Sequence, residues 1–317
     1  MKYIAGQYIT LIVRINGRKY ARPYSFSSAP SVDAALEVTV KRVLGGIVSN
    51  YIHDEFKVGD VIEVLEPIGD FTFDGLSSNH HGVFLWGVGS GITPLFSILK
   101  EALYRHPGMS VQMIYGNKTK DSSIFERQLN YLSKEYHSVF SMINFYSKDS
   151  NIDQSNTINK GRINSEFVAH LFNTNNCFNH YVHYICGPLS FKNMIVEGLT
   201  QSGLPLNSVK TEDFKSEKVC KDFANIQNQK VTLDFHGLQT TIMVTKGKSI
   251  LEDALDAGLE IPHSCQTGNC DTCMGYLKCG KVKMIGLTKP RNDLSERELL
   301  LCCSYPLTED VHIVIKN

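Results

Sequence analysis

The sequence has no excess of charge: 32 Lys and Arg balance 32 Asp and Glu over 317 residues. A neutral chain has no electrostatic reason to seek nucleic acid or an anionic membrane surface. Internal repeats and long low-complexity tracts are missing. So is a hydrophobic run able to span a bilayer. The best candidate, residues 82–99, carries no charge but is interrupted by Gly87, Gly89, Gly91 and Pro94, and reads as a buried strand followed by a turn. The eleven histidines form no metal-ligand pairing; His180 and His183 flank a strand and read as structural. No secretory signal is recognisable, so the nine cysteines lead us to expect a reducing, cytoplasmic compartment and thiolate ligands.

What is present is enough apolar residue, 42%, for two or three domains with separate cores. The cysteines carry the strongest pattern. Four residues separate Cys265 from Cys270, two separate Cys270 from Cys273, and a further thiol follows at Cys302-Cys303. This is the C-x4-C-x2-C…C spacing of a plant-type [2Fe–2S] site. Three thiolates come from one tight loop, which Gly268 suits because glycine reaches positive φ freely. Zinc usually takes two short knuckles, which adjacent Cys302 and Cys303 provide poorly. Disulfides would need an oxidising compartment.

The segment 1–76 reads as short antiparallel strands at 8–15, 19–25, 36–43 and 61–66, hence a β-barrel or sandwich. On one strand Arg22-Pro23-Tyr24-Ser25 sets a guanidinium and an aromatic plane on the same face, fit for a phosphate and a planar cofactor; a surface Arg beside a half-buried Tyr is the bland alternative. Gly45-Gly46-Ile47-Val48-Ser49 leads into a helix start whose N–H groups could cradle a pyrophosphate. From 77 to 216, strand 82–86 runs into Gly87-Val88-Gly89-Ser90-Gly91-Ile92-Thr93-Pro94 and helix 95–104, a dinucleotide geometry although not the G-x-G-x-x-G spacing. Strands at 110–115, 140–145 and 180–186 alternate with helices at 124–135, 164–172 and 191–202. That order implies a parallel α/β sheet with ligands at the strand carboxyl ends, where Gly87, Gly116 and Cys186-Gly187-Pro188 fall. Lys118 and the pair Ser147-Lys148 also lie just past strand ends and could meet a 2′-phosphate or only solvent. The polar run 147–159 reads as a surface loop and 217–229 as a linker. Residues 230–317 read as a small β-grasp domain: a hairpin around His236-Gly237, a helix 250–257 capped by Ser249 and ended by Gly258, the cysteine loop, and strands at 275–277 and 311–315.

Over nearly its full length the chain resembles the ferredoxin–NADP reductase superfamily with a C-terminal plant-type ferredoxin domain, and within it the reductase subunit of phenylacetyl-CoA epoxidase and related oxygenase reductases. The resemblance implies that Arg22 binds the FAD pyrophosphate, Tyr24 stacks on the isoalloxazine and Ser25 hydrogen-bonds near N5. It implies that Gly46, Ile47, Val48 and Ser49 hold the diphosphate, and that Gly87, Gly89, Gly91, Thr93 and Pro94 form the nicotinamide-domain loop. Cys186 and Gly187 would lie beside the nicotinamide ring. Tyr115-Gly116-Asn117-Lys118 and Ser147-Lys148 match family motifs with Lys in place of Arg. The implied activity passes electrons from NAD(P)H through FAD to the [2Fe–2S] cluster and on to a redox partner protein such as an oxygenase component. A non-catalytic iron–sulfur sensor or scaffold with a degenerate flavin site is the alternative.

Four finer expectations follow. Lys118 and Lys148 favour NADPH, modestly, because an ammonium lacks the fork of Arg. Cys186 is not an obligatory nucleophile. The family's flavin domain normally starts with additional strands, so the barrel is expected to be N-terminally truncated and to hold FAD weakly. For the fourth ligand, Cys303 leaves 29 residues after Cys273 and Cys302 leaves 28. The family's gap favours Cys303, whereas the spacing to Tyr305-Pro306 favours Cys302. An extended segment would turn only one of them to the cluster, and Cys302 is the expected ligand.

Overall fold

The computed structural model describes residues 1–75, 80–149, 154–155, 157–174, 180–216 and 218–316. The expected boundary at 76/77, Glu217 at the head of the expected linker, and part of the loop 147–159 lie outside the described residues. The chain forms two compact units. One comprises Met1–Ile9, Tyr24–Arg42 and Glu66–Asp213; the other comprises Thr10–Pro23, Val43–Leu65 and Phe214–Asn317.

β1 (Tyr8–Ile15) and β2 (Arg18–Ser25) form a hairpin closed by Asn16-Gly17, whose φ values of 51° and 77° match the type I′ turn that suits strand twist. Helix α1 (Ile47–Glu55) follows, and then β3 (Glu63–Val64) pairs antiparallel with β1 through Leu11↔Val64, giving the order β2-β1-β3. The strand expected at 36–43 is reduced to one bridge, Phe26↔Val38. Its apolar alternation finds no core: Leu36 and Val43 remain about half exposed, at 48% and 51%.

β4 (Gly82–Val88), α2 (Ile92–Arg105), β5 (Ser110–Asn117), α3 (Glu126–Glu135), β6 (Phe140–Tyr146), β7 (Ile158–Lys160), α4 (Ser165–Thr174), β8 (Tyr181–Cys186), α5 (Leu189–Gln201) and β9 (Val209–Glu212) form the α/β layer system. The six strands are parallel in the order β7-β6-β5-β4-β8-β9. Val83, Leu85, Met113 and Tyr184 face one core with Leu95 and Ile98 of α2. Phe84, Trp86, Ile114 and Ile185 face another with Ile195 and Leu199 of α5. Burial on both faces is why β4 reads as an unbroken apolar run. The chain travels outward from β4 to β7 and then returns to β8 on β4's other side. That reversal opens a crevice at the carboxyl ends of β4 and β8.

The last third contains β10 (Gln229–Phe235), β11 (Leu238–Val244), α6 (Ile250–Asp256), β12 (Met274–Cys279), β13 (Val282–Met284), β14 (Glu298–Leu300), β15 (Ser304–Pro306) and β16 (Val311–Ile315). Five strands run in the order β11-β10-β16-β12-β14, and β13 pairs separately with β15. Ser249 and Glu252 complete a capping box on α6, with bonds of 3.2 and 2.6 Å. Ile250 and Ala254 pack on Val231, Leu233 and Ile313, and Cys273, Cys302 and Cys303 belong to this core. Within the expected linker, Phe223 and Ile226 are buried against Ile285 and Tyr305.

Candidate functional site

At the crevice of the parallel sheet, β4 ends in a short 3-10 turn, Gly89–Gly91, which feeds α2 directly. Gly89 has φ +56°, and the Thr93 hydroxyl donates to the Ser90 carbonyl at 2.5 Å. Gly91 has no room for a side chain: a Cβ there would lie 2.1 Å from the Cys186 carbonyl oxygen. A Cβ on Gly187 would lie 2.9 Å from the Phe191 ring and one on Gly116 3.2 Å from Ile163, each with Val88 at 3.3 Å. The register Gly87↔Cys186 and Gly87↔Tyr115 brings the expected glycine loop, Gly116 and Cys186-Gly187-Pro188 to one edge. Bare backbone on three adjacent strand ends, next to a helix N-terminus, is what a dinucleotide's pyrophosphate and ring require. Lys148 N–H donates to the Lys118 carbonyl at 2.8 Å and Ser147 N–H to the Asn117 carbonyl at 3.0 Å, so both lysines sit side by side past β5 and β6. Cys186 is fully buried, and burial, with Glu212 and Asp213 adding to it, pushes its thiol well up. A thiol held protonated is no nucleophile.

The residues expected at the flavin lie on β2 and at the start of α1. Arg22 donates to the Ala21 carbonyl at 2.8 Å, Tyr24 is half-buried and Ser25 is buried. Gly46 is the N-cap of α1 with no side chain over the helix end, and Ser49 accepts from Val43 N–H at 3.2 Å, stiffening the loop that Gly45 turns with φ +71°. No side chain of the N-cap covers the first turn of α1, where helix N–H groups lack intrahelical partners.

The expected cluster ligands converge within the second unit. Cys265 and Cys270 sulfurs lie 3.1 Å apart, and the neighbouring Cys302, with burial, pushes the Cys273 thiol well up. Among the described residues no three His, Cys, Asp or Glu side chains group around a single metal ion. Cys265 also raises both Cys273 and Cys302, so the four thiols share one neighbourhood. Contact with Cys270 holds the Cys265 thiol down to about 5, and the same contact pushes Cys270 up. Cys302 is lowered by Cys273 but raised by Cys303 and by burial, with a net rise. Paired buried thiols of this kind shed their protons to a bound cation. Cys302 and Cys303 lie in a 3-10 turn, not in the extended strand expected, so the two side chains diverge by a third of a turn. Their sulfurs are 3.7 Å apart; Cys303 points toward the Gly286 carbonyl and packs beneath Gly268, whose φ is +79°.

Sequence reasoning missed what holds the cysteine loop. Arg291 donates to the Gly268 carbonyl at 3.0 Å and pairs with Asp271 and Asp293 at 2.5 and 2.7 Å. Thr288 donates to the Thr267 carbonyl and to Asn269 Oδ1. A charged residue opposite a loop of exposed carbonyls was the available signal. Contacts between the loop and the hairpin of the same unit were also missed. Thr10 and Ser264 hydroxyls meet at 2.6 Å in a buried position, and Gln266 Nε2 donates to the Ala21 carbonyl at 3.2 Å. Arg14 pairs with Glu260, and Arg18 with Asp256.

Three family models match in chain order: the oxidoreductase FAD-binding domain over residues 1–73, the oxidoreductase NAD-binding domain over 85–197 and the 2Fe-2S iron-sulfur cluster binding domain over 233–307. The ferredoxin reductase component of 3-ketosteroid-9-alpha-monooxygenase from Mycobacterium tuberculosis (strain ATCC 25618 / H37Rv) is 30% identical over 99% of this chain and 85% of its own length. One subunit of 1,2-phenylacetyl-CoA epoxidase from Escherichia coli (strain K12) is 29% identical over 98% of this chain and 88% of its own. The solved structure of phthalate dioxygenase reductase superposes with a TM-score of 0.65 at 21% identity, covering 99% of this chain and 88% of that one. The fold is that of this reductase: a flavin-binding barrel, a parallel nicotinamide-binding sheet and a ferredoxin domain. Among the described residues no helix is long and apolar enough to cross a membrane. With cofactor domains in this order and a curated relative matched almost end to end, the chain belongs to the ferredoxin-reductase family whose members carry FAD, NAD(P)H and [2Fe–2S] sites on one polypeptide, and it is an NAD(P)H-dependent oxidoreductase.

Proposed function

We propose that the protein is the reductase component of a cytoplasmic oxygenase system, delivering single electrons to an oxygenase partner. The observation that supports this best is the gathering of Cys265, Cys270, Cys273 and Cys302 in one neighbourhood, with the Cys265 and Cys270 sulfurs 3.1 Å apart. When bound, FAD accepts electrons two at a time and the cluster passes them one at a time, at about −400 mV for clusters of this type.

The chain's own residues hold and orient these groups. Arg22 and the N–H groups of Ile47 and Val48 bind the flavin's diphosphate, Tyr24 covers the ring, and Ser25 bonds at its edge. The loop from Gly87 to Pro94, with Ser90 and Thr93, carries the nucleotide's pyrophosphate. Gly116, Asn117 and Gly187-Pro188 keep the walls of the crevice low, and the neutral Cys186 thiol abuts the nicotinamide without reacting. Lys118 and Lys148 meet the 2′-phosphate and favour NADPH. Cys302 supplies the fourth thiolate and Cys303 remains a packed thiol. In domain terms, 1–76 holds the flavin, 77–216 the nucleotide and 230–317 the cluster, with 217–229 connecting them.

The test is one spectrum and two variants. The purified protein is expected to show flavin and sulfide-to-iron bands, both bleached by NAD(P)H. Cluster bands with no bleaching by NAD(P)H would refute the reading in favour of a sensor or scaffold. Cys302→Ser is expected to lose iron and colour while Cys303→Ser keeps them; the reverse would reassign the ligand.

A further inference from the structure

Gln266 stands between Cys265 and Cys270, yet its side chain leaves the cysteine loop. Its amide donates to the Ala21 carbonyl of β2 at 3.2 Å. The same carbonyl accepts from Arg22 Nη1 at 2.8 Å. One oxygen is therefore shared by the cation expected at the flavin and by the loop expected to wrap the cluster. The Gln266 backbone has φ +57°, a left-handed conformation uncommon for a non-glycine residue. Two positions away, Thr10 and Ser264 join hydroxyls at 2.6 Å in a buried position. The ion pairs Arg14–Glu260 and Arg18–Asp256 lie farther along the hairpin and are roughly half exposed, so they contribute little to fixing the distance. A strained, non-glycine conformation held by a directed hydrogen bond marks a position where geometry is selected over ease of folding.

We propose that Gln266 is a positioning residue for the internal electron-transfer step, fixing the cysteine loop against the Arg22 end of the hairpin through the shared Ala21 carbonyl. The inference rests on the reductase reading above. The step balances simply: one electron leaves the reduced flavin and one is gained by the oxidised cluster, with no bond made or broken in the protein. Gln266 neither carries the electron nor touches the irons; it keeps two carriers at a constant separation.

The test uses the holoenzyme and two variants. Gln266→Glu keeps the size and backbone preference but replaces the donor with an acceptor, and Gln266→Ala removes the amide. Stopped-flow absorbance separates flavin reduction by NADPH from cluster reduction by flavin. Flavin reduction is expected to stay within twofold of the parent. Cluster reduction is expected to slow about fivefold, the factor one neutral hydrogen bond is worth. Two further readouts do not depend on turnover. Hydrogen exchange of residues 10–23 should rise in both variants, and the cluster's midpoint potential, read by EPR, should not move. An unchanged cluster-reduction rate in both variants would overturn the proposal. So would a slower rate accompanied by a shifted potential or by loss of the cluster in both, because the side chain would then be serving the cage itself. Failure of the parent protein to reduce its flavin with NADPH refutes the underlying reductase reading and is separable from all of these.

Discussion

Replacing Gly91 with Ala should damage the nucleotide site more than any other single methyl group added to the glycine loop. The new Cβ would stand 2.1 Å from the Cys186 carbonyl oxygen, 2.6 Å from its carbonyl carbon and 3.1 Å from Gly187 N. Ordinary contact distances are about 3.5 Å, so the first turn of α2 or the end of β8 must retreat by about 1 Å. Both neighbours are backbone, and no side chain can rotate away. Overpacking of this kind costs about 1–3 kcal/mol, and a rigid backbone clash belongs at the upper end. About 3 kcal/mol corresponds to a loss of roughly 6–12 °C in Tm for a protein of a few hundred residues. A 1 Å displacement of the binding groups is expected to lower kcat/KM for NADPH about 100-fold. Gly89→Ala is the control. It meets nothing nearer than the Lys41 ammonium at 3.8 Å, and its only penalty is φ +56°, worth about 1–2 kcal/mol. Calorimetry and initial rates on both variants decide the matter. If Gly91→Ala is no worse than Gly89→Ala in both assays, the close approach of α2 to β8 is not what shapes the crevice.

Cys186→Ser should slow flavin reduction without abolishing it, since the thiol is held protonated by burial; a stable covalent adduct at Cys186 during turnover would contradict this. Lys148→Ala should lower the ratio of kcat/KM for NADPH over NADH, and an unchanged ratio would remove Lys148 from the 2′-phosphate site. Arg291→Ala releases the Gly268 carbonyl, and at about 1–2 kcal/mol for a partly exposed charged bond it should speed bleaching of the cluster by a chelator; an unaltered rate would show that the loop holds itself. Burial would raise the Glu252 carboxyl, but Lys218 and the Ser249 N–H outweigh it and the net shift is downward. A lowered carboxyl stabilises the fold above its unfolded value of about 4.3, and that contribution fades as pH falls below it. Denaturation of Glu252→Gln against the parent should therefore show a deficit at pH 7 that shrinks below about pH 4; a deficit constant with pH would assign the loss to packing.

The parallel sheet was legible because β4, β5 and β8 are covered on both faces and so read as apolar runs ended by glycine. The edge strands β7 and β9 were not, being short, with a single apolar residue each, Ile158 and Val209, followed by polar ones. Residues 36–43 misled for the opposite reason: the alternation is present, but only one bridge uses it and Leu36 and Val43 stay about half exposed. The hairpin turn at Asn16-Gly17 is a strong local signal, matched by its positive φ values. The cysteine spacing is local and survived intact. The side chains that restrain the cysteine loop did not, because Arg291, Thr288 and Ala21 reach it from distant parts of the sequence, and no periodicity connects them.

The second compact unit takes Thr10–Pro23 and Val43–Leu65 from near the start of the chain and joins them to Phe214–Asn317. The seams between modules in the sequence are therefore not the seams in space. An engineer who grafts the C-terminal ferredoxin module of a relative at residue 214 would carry over half of a mated surface and leave the Ser264 and Gln266 partners, Thr10 and Ala21, behind on the recipient. Chimeras that exchange the hairpin tip together with the module should keep their internal electron transfer where simple end-to-end fusions lose it. Divergence between paralogues should, by the same token, be concerted between these two remote stretches of sequence.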